Sequence, residues 1–388
     1  MSTNGWIDEQ LESAIEFRNG KSSPERTEKG ENPVYGGNGI IGYTSEFNCD
    51  SETIIVGRVG AYCGSLYFNK GKCWVTDNAI IGKVKNHCDG KFLFYLLKKL
   101  DLNNYRSGSS QPLINQSTLN SIEVKLPSDK KVQTRIAAIL STLDDKIDLN
   151  RQINTTLEAI AQGLFKEWFV EFRFPAATGE MVVSEIGPIP KGWRVGSIGE
   201  LSYVQNGFAF KSNDFIDTGE IGVIKIKNIN GNIVDILNTQ YIEQNIVNEL
   251  NNKFKVLPES LLIAMTGAEV GKIGLVPYTD QDLWLNQRVG MFIERTEYAN
   301  WFLYLLLATD SYQETIRNSA LGSAQPNISG SAIENIKILM PSKDIIKEYG
   351  AIVKPLFEKM LYCISENHKL SDIRDNLLPK LMNGEIEV

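Results

Sequence analysis

Histidine is almost missing from this chain. His87 and His368 are the only two in 388 residues, too few and too far apart for a two-histidine metal motif or a Ser-His-Asp arrangement. Cysteine is scarce as well. Cys49, Cys63, Cys73, Cys88 and Cys363 are odd in number and contain no Cys-x-x-Cys pair. That argues against disulfide staples and a zinc cage and suits a reducing, cytoplasmic setting. No apolar run approaches the ~18 residues of a membrane span. Met1 to Gln10 is polar and carries acids, unlike a secretory leader. A basic excess is lacking too: 40 Lys and Arg face 47 Asp and Glu, a net charge of −7. A generic polyanion binder has the opposite balance, which leaves nucleic-acid binding only through local sites. Hydrophobic residues at 42% and charged residues at 22% exclude a disordered or collagenous chain, and the length predicts two or three domains.

What the chain does have is an internal repeat. Trp6 and Asn19-Gly20 lie 187 positions before Trp193 and Asn206-Gly207. Gly60-Ala61 and Gly64 lie 207 before Gly267-Ala268 and Gly271, and Tyr95-Leu96-Leu97 lies 209 before Tyr304-Leu305-Leu306. Gly108-Ser109-Ser110-Gln111-Pro112 lies 214 before Gly322-Ser323-Ala324-Gln325-Pro326, and Ile114, Ile122, Pro127 and Ser128 keep that offset. Shared composition alone would not preserve this order, so the series marks a duplication whose second copy carries insertions.

Each copy begins with a compact α+β globule. Thr53–Gly57 and Leu261–Ala264 read as short buried strands bounded by turns, and 91–100 and 300–308 read as helices. A long helix follows. Between Lys130 and Phe172 there is no proline and one glycine, Gly163. Ile136, Leu143, Leu157 and Leu164 recur at one heptad position, and Leu140, Ile147, Ala161 and Trp168 at the other, the pattern of a coiled-coil seam. Asn150 and Asn154 fall in that seam, where they either pair with another polar group and fix register or roll out to water. The second copy repeats the seam with Leu356, Met360, Leu370, Leu377 and Leu381. Pro355 and Pro379 should start, kink or end helix there, and Gly384 should stop it. Arg173 to Trp193 is rich in Pro and Gly and reads as a linker. The expected organisation is a globule over 1–128, a helix over 129–172, linker and second globule over 173–342, and a second helix over 343–388. The two helices most simply pair as an antiparallel coiled coil with pseudo-twofold symmetry, each globule facing one of two different DNA half-sites and helix length setting their spacing.

Catalytic motifs are weak. Asn32-Pro33-Val34-Tyr35 is one residue from the Asn-Pro-Pro-Tyr of amino-methyltransferases, but it lacks a glycine-loop site for S-adenosylmethionine, and the following Gly36-Gly37 makes it read as a turn. Gly267-Ala268-Glu269-Val270-Gly271-Lys272 has three residues between its glycines where a P-loop has four, and Ile273 stands where that motif has Ser or Thr. Cys88 beside His87 is too little for zinc. No catalytic residue, metal ligand or cofactor site is expected.

The chain resembles the specificity (S) subunit of type I restriction–modification systems over nearly its whole length. The most specific stretch is Gln133 to Ile147, followed by Asn150, Leu157, Leu164-Phe165 and Trp168-Phe169. Pro33 to Gly42, Ile189-Pro-Lys-Gly-Trp193 and both Gly-Ser-x-Gln-Pro segments are also similar. Glu348-Tyr349-Gly350, where the first copy has Arg135-Ile136-Ala137, departs from the pattern. The resemblance implies two target-recognition domains, helices that act as spacer and dock for two modification (M) subunits, and S-adenosylmethionine bound on those partners; restriction (R) subunits would join through them. Double-stranded DNA is then the ligand and no membrane is involved. The interface residues implied are the seam positions, with Phe165, Trp168 and Phe169 near the dock. A type II-like methylase–nuclease recognition subunit, or a coiled-coil scaffold with two ligand-binding globules, would share much of this organisation.

Base reading needs few side chains, typically Arg to guanine and Asn or Gln to adenine. Four loop sets supply candidates. One follows the Asn-Gly turn: Lys21 in the first copy, Phe208 and Lys211 in the second. Another is the glycine-flanked loop with Arg58 and Tyr62, or with Thr266, Glu269 and Lys272. The third is Ser109, Ser110 and Gln111, or Ser323, Gln325 and Asn327. The last is Asn286-Gln287-Arg288, opposite Asp77-Asn78. Each of these residues is otherwise a turn former or a solvated side chain. Residues 1–128 balance 14 basic against 14 acidic side chains, and residues 172–342 hold 13 against 18, so much of the phosphate contact would have to come from partners.

Overall fold

Runs of Ile, Val and Thr fold as strands because β-branched side chains pack well on a pleated surface, while flanking glycines supply the turns. The computed structural model describes residues 5–108, 112–185, 187–229, 231–320 and 326–388. It divides into two units, one made of residues up to Ile147 together with Lys369–Val388, the other of Asp148–His368.

The first unit holds β1 (Trp6–Gln10), β2 (Ile15–Asn19), β3 (Asn32–Gly36), β4 (Gly39–Thr44), β5 (Thr53–Gly57), β6 (Leu66–Asn69), β7 (Trp74–Val75), β8 (Ala79–Val84) and β9 (Glu123–Pro127). An antiparallel sheet runs in the order β2-β8-β5-β6, a second sheet runs β4-β3-β7, and β1 pairs with β9. All five residues of β5 are buried, as a sheet covered on both faces requires. One cover is the helix Gly90–Leu100. The Asp89 side chain caps it by accepting the Phe92 N–H, and it sets Phe92, Tyr95 and Leu96 against Ile54, Val56 and Ile80. Asn32–Gly36, expected as a turn, is strand; the turn comes at Gly37-Asn38. The Val34 and Tyr35 side chains are buried, and that burial holds the segment extended.

The second unit adds β10 (Met181–Ser184), β11 (Gly187–Pro190), β12 (Arg194–Ser197), β13 (Ser202–Asn206), β14 (Phe215–Ile216), β15 (Ile221–Ile224), β16 (Gln240–Ile242), β17 (Lys255–Val256), β18 (Leu261–Ala264), β19 (Ile273–Leu275), β20 (Asp282–Leu285), β21 (Val289–Glu294) and β22 (Lys337–Met340). Its sheet β13-β21-β18-β19 repeats the order of β2-β8-β5-β6. A five-stranded sheet, β14-β16-β15-β20-β17, enlarges the three-stranded one. Within the linker β10 and β11 pair as a hairpin, and Phe172 and Phe174 pack on Trp193.

The first long helix runs Lys130–Phe165 and continues through a π-helical turn, Lys166–Val170. The second runs unbroken from Lys343 to Met382, so Pro355 and Pro379 neither start nor end it. Both prolines are exposed, as are Ala351 and Asp375 four residues earlier, so the carbonyls that lose a donor to proline can turn to water. Gly384, at φ +71°, follows the helix end, the usual place for a left-handed residue.

Within the second unit, Tyr349 reaches the Ala161 carbonyl and Asn150 reaches Asn367, so the two helical segments run antiparallel. Asn150 is fully buried and donates to Glu366 Oε2 at 2.7 Å and to Asn367 Oδ1 at 2.9 Å. Of the two sequence readings for Asn150, pairing is the one observed. In the first unit Tyr95 donates to Asp144 Oδ2 at 2.6 Å, and Arg374 Nη1 lies 2.6 Å from Asp144 Oδ1.

Two outcomes follow. Asn150→Ala leaves Glu366 and Asn367 short of a donor and should cost about 1–3 kcal/mol in chemical unfolding of the full chain. Burial raises the Asp144 carboxyl, but the hydrogen bonds from Tyr95 and Arg374 outweigh it and hold the group below its ordinary value. A depressed native pKa means that the stabilisation is complete above the unfolded value of about 4 and is lost as pH falls through the native value. Stability should therefore drop on acidification in that range, and Asp144→Asn should flatten that part of the pH–stability curve.

Candidate nucleic-acid interface

In the first unit the chain leaves β2 through Asn19-Gly20 and comes to lie beside the end of β7. Gly20 N–H donates to the Ala79 carbonyl at 3.1 Å and Lys21 N–H to the Val75 carbonyl at 3.1 Å, and Lys21 bridges Thr76 in parallel. A Cβ at position 20 would collide with the Thr76 carbonyl, so this approach requires glycine. Arg58 N–H donates to Asn78 O at 3.0 Å, Gly60 N–H to Pro112 O at 3.0 Å, and Ile114 N–H to Arg58 O at 3.0 Å. The loop at Lys21, the loop at Asp77-Asn78, the glycine-flanked loop and the segment after Gln111 are thus tied edge to edge. The Asn48 side chain braces them by pairing with both the N–H and the carbonyl of Val75 at 2.9 Å.

The second unit repeats this bonding. Phe208 N–H donates to Leu285 O at 2.8 Å, Met265 N–H to Arg288 O at 3.1 Å, Gly267 N–H to Pro326 O at 2.9 Å and Ile328 N–H to Met265 O at 2.9 Å. Phe208 bridges Asn286, and Thr266 bridges Asn327. A Cβ at Gly207 would strike the Asn286 carbonyl. Gly60 and Gly267 have φ +72° and +79°, and Gly64 and Gly271 have +87° and +90°. The same backbone scaffold therefore displays different side chains. Among the described residues no cluster of three or more His, Cys, Asp or Glu is placed to hold a metal ion, and no helix is long and apolar enough to cross a membrane.

The family model for the type I restriction modification DNA specificity domain matches twice, over residues 4–159 and 190–366. The chain belongs to this specificity family. The type I restriction enzyme HindI specificity subunit of Haemophilus influenzae is 29% identical over 361 residues, covering 76% of this chain and 77% of that one. The MjaIX specificity subunit of Methanocaldococcus jannaschii is 28% identical over 358 residues, covering 84% and 80%. The crystal structure of an M. genitalium type I S subunit shares the fold, with a TM-score of 0.71, 20% identity and coverage of 98% and 97%. As a member of the specificity family the chain is a DNA-recognition component with two tandem recognition domains, not a catalytic one.

On this specificity scaffold Lys21, Tyr62, Asn78, Lys211, Gln287, Arg288 and Asn327 are exposed. Arg58 is half-buried; its Nη1 lies 3.4 Å from the Asp77 carbonyl and its Nε is buried without a partner. Thr266 is only 2% exposed. Its backbone bridges Asn327, and its buried side chain is not on the surface of the loop. Phe208 packs on Phe210 and Phe254 at 5.1 and 5.6 Å, Asn286 is half-buried, and Lys272 pairs with Glu269. Ser109, Ser110, Gln111, Ser323 and Gln325 lie outside the described residues.

The seam residues separate in the same way. Ile136, Leu140, Ile147, Met360 and Leu381 are buried, and Leu143, Leu157, Leu164, Leu356, Leu370 and Leu377 half-buried. Phe165, Trp168 and Phe169 were expected at a docking surface. They are instead 6–7% exposed, with Phe169 4.8 Å from both Phe302 and Tyr349. Phe302 and Trp193 of the globule and Tyr349 of the second long helix cover them. The large apolar residues left open on the long helices, among the described residues, are Ile139, Leu149, Ile160, Val170, Ile352, Tyr362 and Ile373. They lie off the heptad seam, so the seam pattern does not mark them. Phe169→Ala should accordingly cost about 3–5 kcal/mol in unfolding of the full chain, whereas a docking residue would leave stability unchanged.

Proposed function

We propose that the chain is the specificity subunit of a type I complex that reads a bipartite, asymmetric target, one half through each loop cluster. The carrying observation is the duplicated backbone scaffold with non-identical side chains: Lys21, Arg58, Tyr62 and Asn78 on one copy, Lys211, Gln287, Arg288 and Asn327 on the other. Equal scaffolds with unequal reading groups suit two half-sites of different sequence. The low basic content gives little non-specific affinity, so partners supply much of the phosphate contact. Two modification subunits carry S-adenosylmethionine and the base-flipping chemistry, and restriction subunits join through them, in the cytoplasm. Leu149 and Ile160, about three helical turns apart on one face of the first long helix and both exposed, offer such partners an apolar contact.

Sequencing the methylated genome of cells expressing the chain with its modification subunits tests the reading. Arg288→Ala should relax one base position in one half-site by about 1–3 kcal/mol of discrimination and leave the other half unchanged. A motif altered in both halves, or in neither, counts against it. Leu149→Asp combined with Ile160→Asp should abolish co-purification with the modification subunits while the full chain keeps its unfolding midpoint; a retained complex would exclude that docking face.

A further inference from the structure

The second unit carries a lysine with no counterpart in the first. β15 ends at Ile224, parallel to β20 with Ile224 opposite Leu285, and the Ile224 carbonyl accepts Asn286 N–H at 3.0 Å. The next residue, Lys225, therefore stands level with Asn286, at the edge of the loop cluster. In the first unit the Tyr35 carbonyl accepts Thr76 N–H at 2.9 Å, and the residue in the place of Lys225 is Gly36. The strand across from it differs too: Gln240 pairs with Val223 where Gly42 pairs with Val34.

Lys225 is held on two sides. Its Nζ donates to Gln240 Oε1 and sits 3.2 Å from the centre of the Phe215 ring. The side chain is half-buried, yet among the described residues it forms no ion pair with a carboxylate. Burial and the neighbouring Lys227 both disfavour its charge. Two other lysines disfavoured by burial have compensating acids: Lys98 has Asp144 and Asp375, and Lys99 has Glu385. A desolvated cation without a counter-charge carries an uncompensated cost, and a ligand that brings acceptors removes it. A lysine ammonium has three N–H donors, and Gln240 takes one.

Resting on the function proposed above, we propose that Lys225 is a specificity-determining residue of the second recognition domain. Gln240 and Phe215 orient it to donate to the O6 and N7 acceptors of a guanine in the second half-site. A flexible lysine suits a phosphate, whereas one fixed in direction suits a base edge. Lys227, exposed and among the described residues free of such bracing, has instead the freedom that suits a phosphate.

The test compares methylated genomes from cells carrying the full chain with its modification subunits. Lys225→Met, which keeps an aliphatic stem over Phe215, should lower guanine preference at one position of one half-site by roughly ten-fold or more. The other half-site should stay intact. Gln240→Ala keeps the lysine but frees it, and should relax the same position to a smaller degree. Lys227→Ala should lower methylation uniformly over all target sequences. If Lys225→Met leaves the motif unchanged, or lowers methylation equally at every sequence, the proposal is overturned. If that variant does not assemble, Gln240→Ala decides: an unchanged motif overturns the proposal, and relaxation at one guanine supports it. A wild-type chain that yields no bipartite motif refutes the function proposed above, an outcome separate from a wild-type motif that Lys225→Met fails to change.

Discussion

Everything displayed at the two loop clusters depends on one close approach of backbone to backbone. After β2 and after β13 the chain passes so near the end of a neighbouring strand that a side chain at Gly20 or Gly207 would strike a carbonyl. Parallel bridges, Lys21 with Thr76 and Phe208 with Asn286, follow from that approach. They fix where the next loops can hydrogen-bond. Glycine is the only residue that removes the steric obstacle, so Gly20 and Gly207 are structural requirements of the loop clusters.

The architecture was legible because duplication is an ordered signal. Trp6 with Trp193, the glycines at 60 and 267, and Tyr95 with Tyr304 gave the repeat before any element was placed. The helices declared themselves by long stretches without proline, and the strands by short β-branched runs between glycines. Asn150 was recognisable as a seam residue, although its pairing with Glu366 and Asn367 needed the partner helix to be seen. Where expectation and structure part, tertiary contact overrides local signal. Asn32–Gly36 is extended because Val34 and Tyr35 are buried.

The candidate site was only partly legible. A loop's composition announces that it is a loop, but not which side chain points outward. Thr266 and Phe208 stand in candidate loops and turn inward, while Lys21 and Arg288 are exposed. Phe165, Trp168 and Phe169 show the converse. An apolar cluster at the end of a long helix looks the same in sequence whether a partner or the chain's own globule covers it. Lys225 escaped attention because its setting depends on Gln240 and Phe215, which are distant in sequence and lack equivalents in the first copy.

The first unit's core is not finished by the residues that begin it. Leu378, Leu381 and Met382 pack in the same cluster as Trp6, Leu97 and Ile136, and Lys369–Val388 belongs to that unit. During vectorial synthesis on a ribosome, the early domain must wait until Lys369–Val388 has emerged before that core can close. Its last contacts span more than 200 residues and carry the loop-closure cost that slows folding. The later unit, by contrast, is contiguous in sequence and can fold first. Order of synthesis and order of core closure therefore need not coincide in this protein, and the amino-terminal domain depends for its last core contacts on a helix made long after it.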